Sequence, residues 1–95
     1  MFVKINEYLI LKNEEKTFVE MIKLEQKMNA YPAGLDNYHL FKDKNEERKF
    51  WLVEYWLSEE DYLKYQKLAS HKYFKDLLKG VLETPYSQHF CDIVI

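Results

Sequence analysis

The sequence predicts a ferredoxin-like α+β fold, ordered β-α-β-β-α-β, with both helices on one face of a four-stranded antiparallel sheet. Three observations lead there. Residues Phe50 to Leu57 (FWLVEYWL) form a nearly unbroken apolar and aromatic run around one carboxylate, Glu54. A strand without polar alternation is usually covered on both faces. Strand-like segments near both ends of the chain flank two stretches with helical spacing. The whole occupies 95 residues, enough for one domain but for only one layer of helices. The other sheet face then needs a second cover. The simplest is a second copy of the chain, packed sheet to sheet in a symmetric dimer.

Each element has its own signal. Phe2 to Leu11 reads as a first strand, with Val3, Ile5, Glu7, Leu9 and Leu11 on one parity and Phe2, Lys4, Asn6, Tyr8 and Ile10 on the other. Asn13 is a candidate cap for the first helix, with Glu14 and Glu15 in its positive first turn. Phe18, Met21, Ile22, Glu25 and Met28 keep helical spacing to about Asn29, where Tyr31, Pro32, Ala33 and Gly34 end it. Asn37 to Lys42 is a short second strand, and Asp43 to Glu47 a polar turn into the third strand, Arg48 to Leu57. Ser58 and Asp61 form a capping-box-like pair. Tyr62, Tyr65, Leu68 and Ala69 follow helical spacing, Ser70 is a candidate cap for a second segment, and Phe74, Leu77, Leu78, Val81 and Leu82 share a face before Thr84 and Pro85. Tyr86 to Ile95 reads as the last strand.

Composition narrows the function. Net charge is −2 with Lys and Arg scattered among acids, so no basic stripe marks a nucleic-acid footprint. No apolar run approaches the roughly 20 residues of a membrane span. The first residues, MFVKINEYLI, lack a signal-peptide pattern. One cysteine, Cys91, excludes an intramolecular disulfide, fits a reducing cytoplasm and reads as an inert buried thiol. Eight Tyr, six Phe and two Trp exceed the needs of a minimal core and point to an interface or an aromatic-lined cavity.

Three segments carry a family likeness: the first strand with Asn6 inside it, Tyr31 to Phe41 (YPAGLDNYHLF), and Phe50 to Asp61 (FWLVEYWLSEED) followed by Leu68 to Phe74 (LASHKYF). Together they resemble the antibiotic biosynthesis monooxygenase family, a branch of the dimeric α+β-barrel proteins. The resemblance implies a homodimer and a pocket between helices and sheet in each subunit. It offers cofactor-free oxygenases of quinols and polycyclic phenols, haem-degrading enzymes, and small-metabolite enzymes. Asn6 matches the strand-one asparagine of the haem-degrading branch. Tyr65 stands where many members carry a histidine and the haem branch a tryptophan, and the haem branch's proximal histidine falls near Leu78. The missing haem ligand weighs against haem degradation.

The leading expectation is cofactor-independent oxidation of a small aromatic or quinol-like compound. Such chemistry needs a dry aromatic pocket, a base, and a donor for the developing oxyanion. The candidates are His71 or His39 as base, Asn6 as donor, Tyr65 and Tyr73 as hydrogen-bonding partners, and Trp56 and Phe74 as pocket lining. Trp51 and Trp56 differ in parity, and Glu54 shares that of Trp56. The three histidines lack a metal-ligand spacing, so no metal is expected, and the resemblance to cofactor-free oxygenases implies that no cofactor is needed. Plainer readings stand beside these. His71 is more often an exposed residue at a helix junction, His39 and His89 read as ordinary strand residues, and Asn6 as the partner of a buried backbone group. Glu54 reads as a structural carboxylate paired with Lys4 or with a partner chain. The tyrosines and Phe74 are first of all core material. A non-catalytic apolar-metabolite-binding or stress-related dimer is therefore the second expectation, and haem binding the third.

Overall fold

The computed structural model describes residues 1–28 and 32–95. The chain runs β1 (Phe2–Leu9), α1 (Glu15–Met28), β2 (Leu35–Lys42), β3 (Lys49–Trp56), α2 (Glu59–Gln66), α3 (Ala69–Leu78), a 3₁₀ turn (Lys79–Val81) and β4 (Ser87–Asp92). The four strands make one antiparallel sheet in the order β2-β3-β1-β4. This is the expected ferredoxin-like α+β arrangement, with the second helical stretch divided in two.

Strand parity sets what each face carries. On one face Lys4 lies opposite Glu54, Asn6 opposite Leu52 and Tyr8 opposite Phe50. The helices cover this face. Their apolar stripes complete two buried clusters, one built on Tyr8, Ile10, Phe18, Ile22, Phe50, Leu52, Leu78 and Val81, the other on Phe2, Leu35, Trp56, Tyr62 and Tyr65. Phe18 ties helix to sheet, its ring 5.0 Å from that of Tyr8 and 5.2 Å from that of Phe50. Each such aromatic removes on the order of 150–250 Å² from water. The opposite face presents Ile5, Trp51, Val53 and Tyr55, all partly exposed, and the more exposed Phe41.

A β-bulge between Leu35 and Asn37 aligns Leu35 with Trp56 while Asn37 meets Tyr55. Strict alternation would leave Leu35 on the open face with Asn37 and His39. The extra residue turns it under the helices, where it is buried. Gly34, just before it, adopts φ +86°, and a Cβ there would meet Asp61 Cβ at 2.3 Å. Only glycine lets this turn pass so close to the start of α2. There Ser58 caps as expected: its Oγ accepts from the Asp61 N–H (3.2 Å) and donates to Asp61 Oδ2 (3.0 Å).

Several boundaries differ from expectation. β1 ends at Leu9, with Ile10 in an isolated bridge to Leu82. The Glu14 carbonyl accepts the first helical bond, from Phe18 N–H at 2.9 Å, so Glu14 occupies the cap position. Asn13 instead takes φ 69°, a left-handed turn that asparagine tolerates better than most residues. The expected end of α1 at Asn29 and Tyr31 lies outside the described residues. β2 starts two residues early, because the bulge extends its pairing. α2 closes through tight bonds from Lys67 N–H to the Lys64 carbonyl and Leu68 N–H to the Tyr65 carbonyl. Leu68, extended at ψ 136°, occupies the cap position of α3, not Ser70. The helix stops at Leu78, and β4 covers only Ser87–Asp92, each residue of it exposed. Cys91 is therefore exposed rather than buried, since β4 is an edge strand with no helix over this position.

Candidate functional site

A polar belt separates the two apolar clusters beneath the helices. Lys4, Asn6, Glu25, Gln26, Glu54 and His71 are all buried there. Charged groups are almost never buried unless paired. Here Lys4 Nζ lies 3.0 Å from Glu54 Oε1, and that same oxygen accepts from Trp56 Nε1 at 3.2 Å. The Lys4 ammonium also sits 5.1 Å from the Tyr62 ring centre. Glu54 is thus the structural carboxylate that its place in an apolar strand suggested, and Lys4 is its partner across the β1–β3 pair.

The second half of the belt comes from the helices. Glu25 on α1 accepts from the Tyr65 hydroxyl (2.5 Å), and its Oε1 lies 3.2 Å from His71 Nδ1. The Tyr65 and His71 rings lie 4.3 Å apart. Burial, and then the hydrogen bond and charge of Glu25, push the Tyr65 hydroxyl far above the ordinary tyrosine range, so it stays a donor. With Nδ1–H directed at a carboxylate, the neutral imidazole keeps Nε2 as its acceptor. That is the arrangement of an oriented base, and the break at Leu68 aims His71 inward to complete it.

On the sheet side, Asn6 Nδ2 donates to the Tyr8 hydroxyl at 2.8 Å. One of the two Asn6 amide hydrogens is therefore engaged, and the Tyr8 O–H stands beside it as a further group able to donate. Burial pushes the Tyr8 hydroxyl well above the ordinary range, which keeps its proton on. Asn6 Oδ1 and Gln26 Oε1 are buried acceptors without a hydrogen-bond partner among the described residues. Such atoms normally find one.

Asn6, Tyr8, Glu25, Gln26, Tyr65, His71 and Phe74 all line a hollow between sheet and helices, with a volume of about 20 Å³. That is room for roughly one water molecule and not for an aromatic ring. Of the expected site residues, the structure brings Asn6, Tyr65, His71 and Phe74 together here. Trp56 is buried beside them, its ring 5.3 Å from Tyr65, within the neighbouring apolar cluster. His39 pairs with Val53 and belongs to the open face, so the sheet stands between it and the hollow. Tyr73 points outward, 66 % exposed. His71 is buried rather than exposed at a junction. Glu25 and Tyr8 were missed as site residues, although an acid within the apolar stripe of α1 was a legible sign.

The chain belongs to the antibiotic biosynthesis monooxygenase family, whose model matches residues 1–77. No curated protein matches it by sequence. Solved structures of the same fold include a Nitrosomonas europaea protein classed with the antibiotic biosynthesis monooxygenases (TM-score 0.88, 14 % identity, all of both chains covered). Another is SnoaB, a cofactor-independent oxygenase from Streptomyces nogalater (TM-score 0.89, 7 % identity, 99 % of this chain and 93 % of that one). At such identities the likeness shows the fold. Among the described residues no helix is long and apolar enough to cross a membrane.

Proposed function

We propose that the chain is a cofactor-independent monooxygenase acting on a small aromatic or quinol-like compound, working as a cytoplasmic homodimer joined through the open sheet faces. One observation carries this reading: a carboxylate-oriented histidine, His71 on Glu25, and a buried tyrosine donor, Tyr8, line the same small hollow. His71 Nε2 takes the acidic proton of an aryl methylene or its enol tautomer, and Glu25 stabilises the imidazolium. The Tyr8 O–H steadies the oxyanion. The carbanion gives one electron to O₂, and the radical pair joins as a carbon-bound peroxide. Loss of the second C–H proton with O–O cleavage then leaves a carbonyl and water, so CH₂ and O₂ become C=O and H₂O. The substrate supplies all the electrons.

Oxygen uptake with a panel of hydroquinones and anthrones tests it. Activity is expected in the native chain and a loss of about 10²-fold or more in an Asn6→Ala, His71→Gln double variant whose circular dichroism is unchanged. Equal rates in the two proteins would refute the assignment. Sedimentation as a monomer at micromolar concentration would refute the dimer.

The size of the hollow favours a second reading, a binding protein that holds an apolar metabolite without turning it over. Turnover of any panel compound discriminates against it. Haem is the weakest of the three: the position near which the haem branch's ligand falls is Leu78, buried in the core. No Soret shift is expected on titration.

A further inference from the structure

The hollow is too small to hold the body of any substrate, yet a larger apolar depression lies directly outside it. Between α1 and α3 runs a groove of about 160 Å³ walled by Met21, Leu24, Tyr73, Phe74 and Leu77. An enclosed apolar space of roughly 150 Å³ accommodates benzene. Leu24, Tyr73 and Leu77 are 55 %, 66 % and 49 % exposed, so three large apolar side chains stand together on a helical face that no other described residue covers. Clustered exposure of this kind marks binding surfaces more often than scattered single residues do.

Two residues belong to both spaces. Glu25 and Phe74 line the groove and the inner hollow alike. Phe74 is half-buried, its ring 6.3 Å from the His71 ring and nearly parallel to it. A rotation about its side-chain bonds, without backbone movement, would join the two spaces. The joined site would have an apolar, ring-sized outer part and an inner end carrying the Glu25–His71 pair, the Tyr8 hydroxyl and the unpaired Asn6 and Gln26 acceptors.

We infer that the α1–α3 groove seats the flat apolar body of a one- or two-ring aromatic ligand, whose single hydroxyl reaches past Phe74 to the Glu25–His71 pair. The hydroxyl is the hydrogen-bond donor that Asn6 Oδ1 or Gln26 Oε1 accepts, and the body packs between Leu24, Leu77 and the Tyr73 and Phe74 rings. Phe74 is then the movable wall between seat and site. The identity of the inner end rests on the proposed oxygenase reading; the seat itself does not require turnover.

The test is titration of the full chain with 1-naphthol, followed by amide NMR. Saturable shifts are expected at residues 21–25 and 70–77, extending to Asn6 and Tyr8. Leu77→Arg, an exposed change that leaves the core intact, is expected to weaken binding about tenfold or more, since it removes the burial of one leucine-sized contact. Absence of saturable shifts, shifts that bypass the groove, or unchanged affinity in Leu77→Arg would each overturn the inference. Loss of self-association in Leu77→Arg with naphthol affinity unchanged would assign this face to a second copy and overturn it too. Naphthol binding in the groove without oxygen uptake by any panel compound would sink the oxygenase reading and leave the seat standing.

Discussion

Under the helices the sheet holds Lys4, Asn6 and Glu54 at 3 %, 2 % and 2 % exposure, while across it Phe41 stands 51 % exposed beside half-buried Ile5, Val53 and Tyr55. The covered face thus contains the polar groups, and the uncovered face much of the apolar surface. Burial in this chain follows from what each face must do, not from the polarity of its residues. On the covered side each charge meets a partner within hydrogen-bonding reach, and the belt divides the core into two apolar halves. On the open side Lys49 pairs with Glu7 at 3.1 Å and lies 5.6 Å from the Trp51 ring centre, while Asn37, His39 and His89 stand exposed among the apolar residues. The apolar remainder of that face is the surface that the proposed second copy would cover.

The sharpest way to break this comparison is to remove one half of the buried ion pair. Lys4→Met leaves Glu54 charged in a dry environment and is expected to cost about 3–5 kcal/mol, read from urea unfolding. Lys4→Met combined with Glu54→Leu is expected to recover most of it, because two apolar groups of similar size need no compensation. A small effect in the single variant would mean that water reaches the belt.

That pair was legible in the sequence, since Glu54 interrupts an otherwise apolar strand and Lys4 lies on the matching parity of the first. Parity also separated Trp56 from Trp51. The bulge at Asp36 was not legible: it inverts the facing of Leu35, and local spacing carries no sign of it. Glu25 was visible in the stripe of α1, but its role depends on Tyr65 and His71 arriving from 40 and 46 residues away. Tyr8 was read as one member of a mixed face because its tie to Asn6 follows from rotamers, not spacing. The size of the hollow is set by how closely all these side chains pack, and no pattern along the chain encodes that.

A smaller effect on folding, but a decisive one for the open face, is expected from Ile5→Glu. Ile5 lies at the centre of the sheet, between Val53 and His89. A charge there is expected to change the unfolding of the isolated chain by about 1 kcal/mol, the span of strand preferences. It should abolish the proposed dimer in sedimentation, because an unpaired charge cannot be buried in an apolar interface. If Ile5→Glu destabilised the fold as severely as Lys4→Met, the two faces would not differ in the way argued.

The finest test uses protons. Burial raises the native hydroxyl pKa values of Tyr8 and Tyr65 well above the ordinary tyrosine range, and pushes Tyr62 up to about 12. A group with a raised native pKa contributes its stability in full below its unfolded pKa and loses it as pH climbs towards the native one. Above pH 10 the unfolded chain therefore releases protons that the native chain keeps, and stability falls by about 1.4 kcal/mol per pH unit for each such tyrosine. Tyr62 adds to the fall only between about 10 and 12. Tyr65→Phe is expected to cost about 1.5–3 kcal/mol at neutral pH, the worth of a hydrogen bond to a charged acceptor. It should also make the alkaline slope shallower by the contribution of one tyrosine. Equal slopes in native and Tyr65→Phe proteins would mean that the Tyr65 hydroxyl ionises as it does in the unfolded chain, which a donor held on a buried Glu25 carboxylate cannot do.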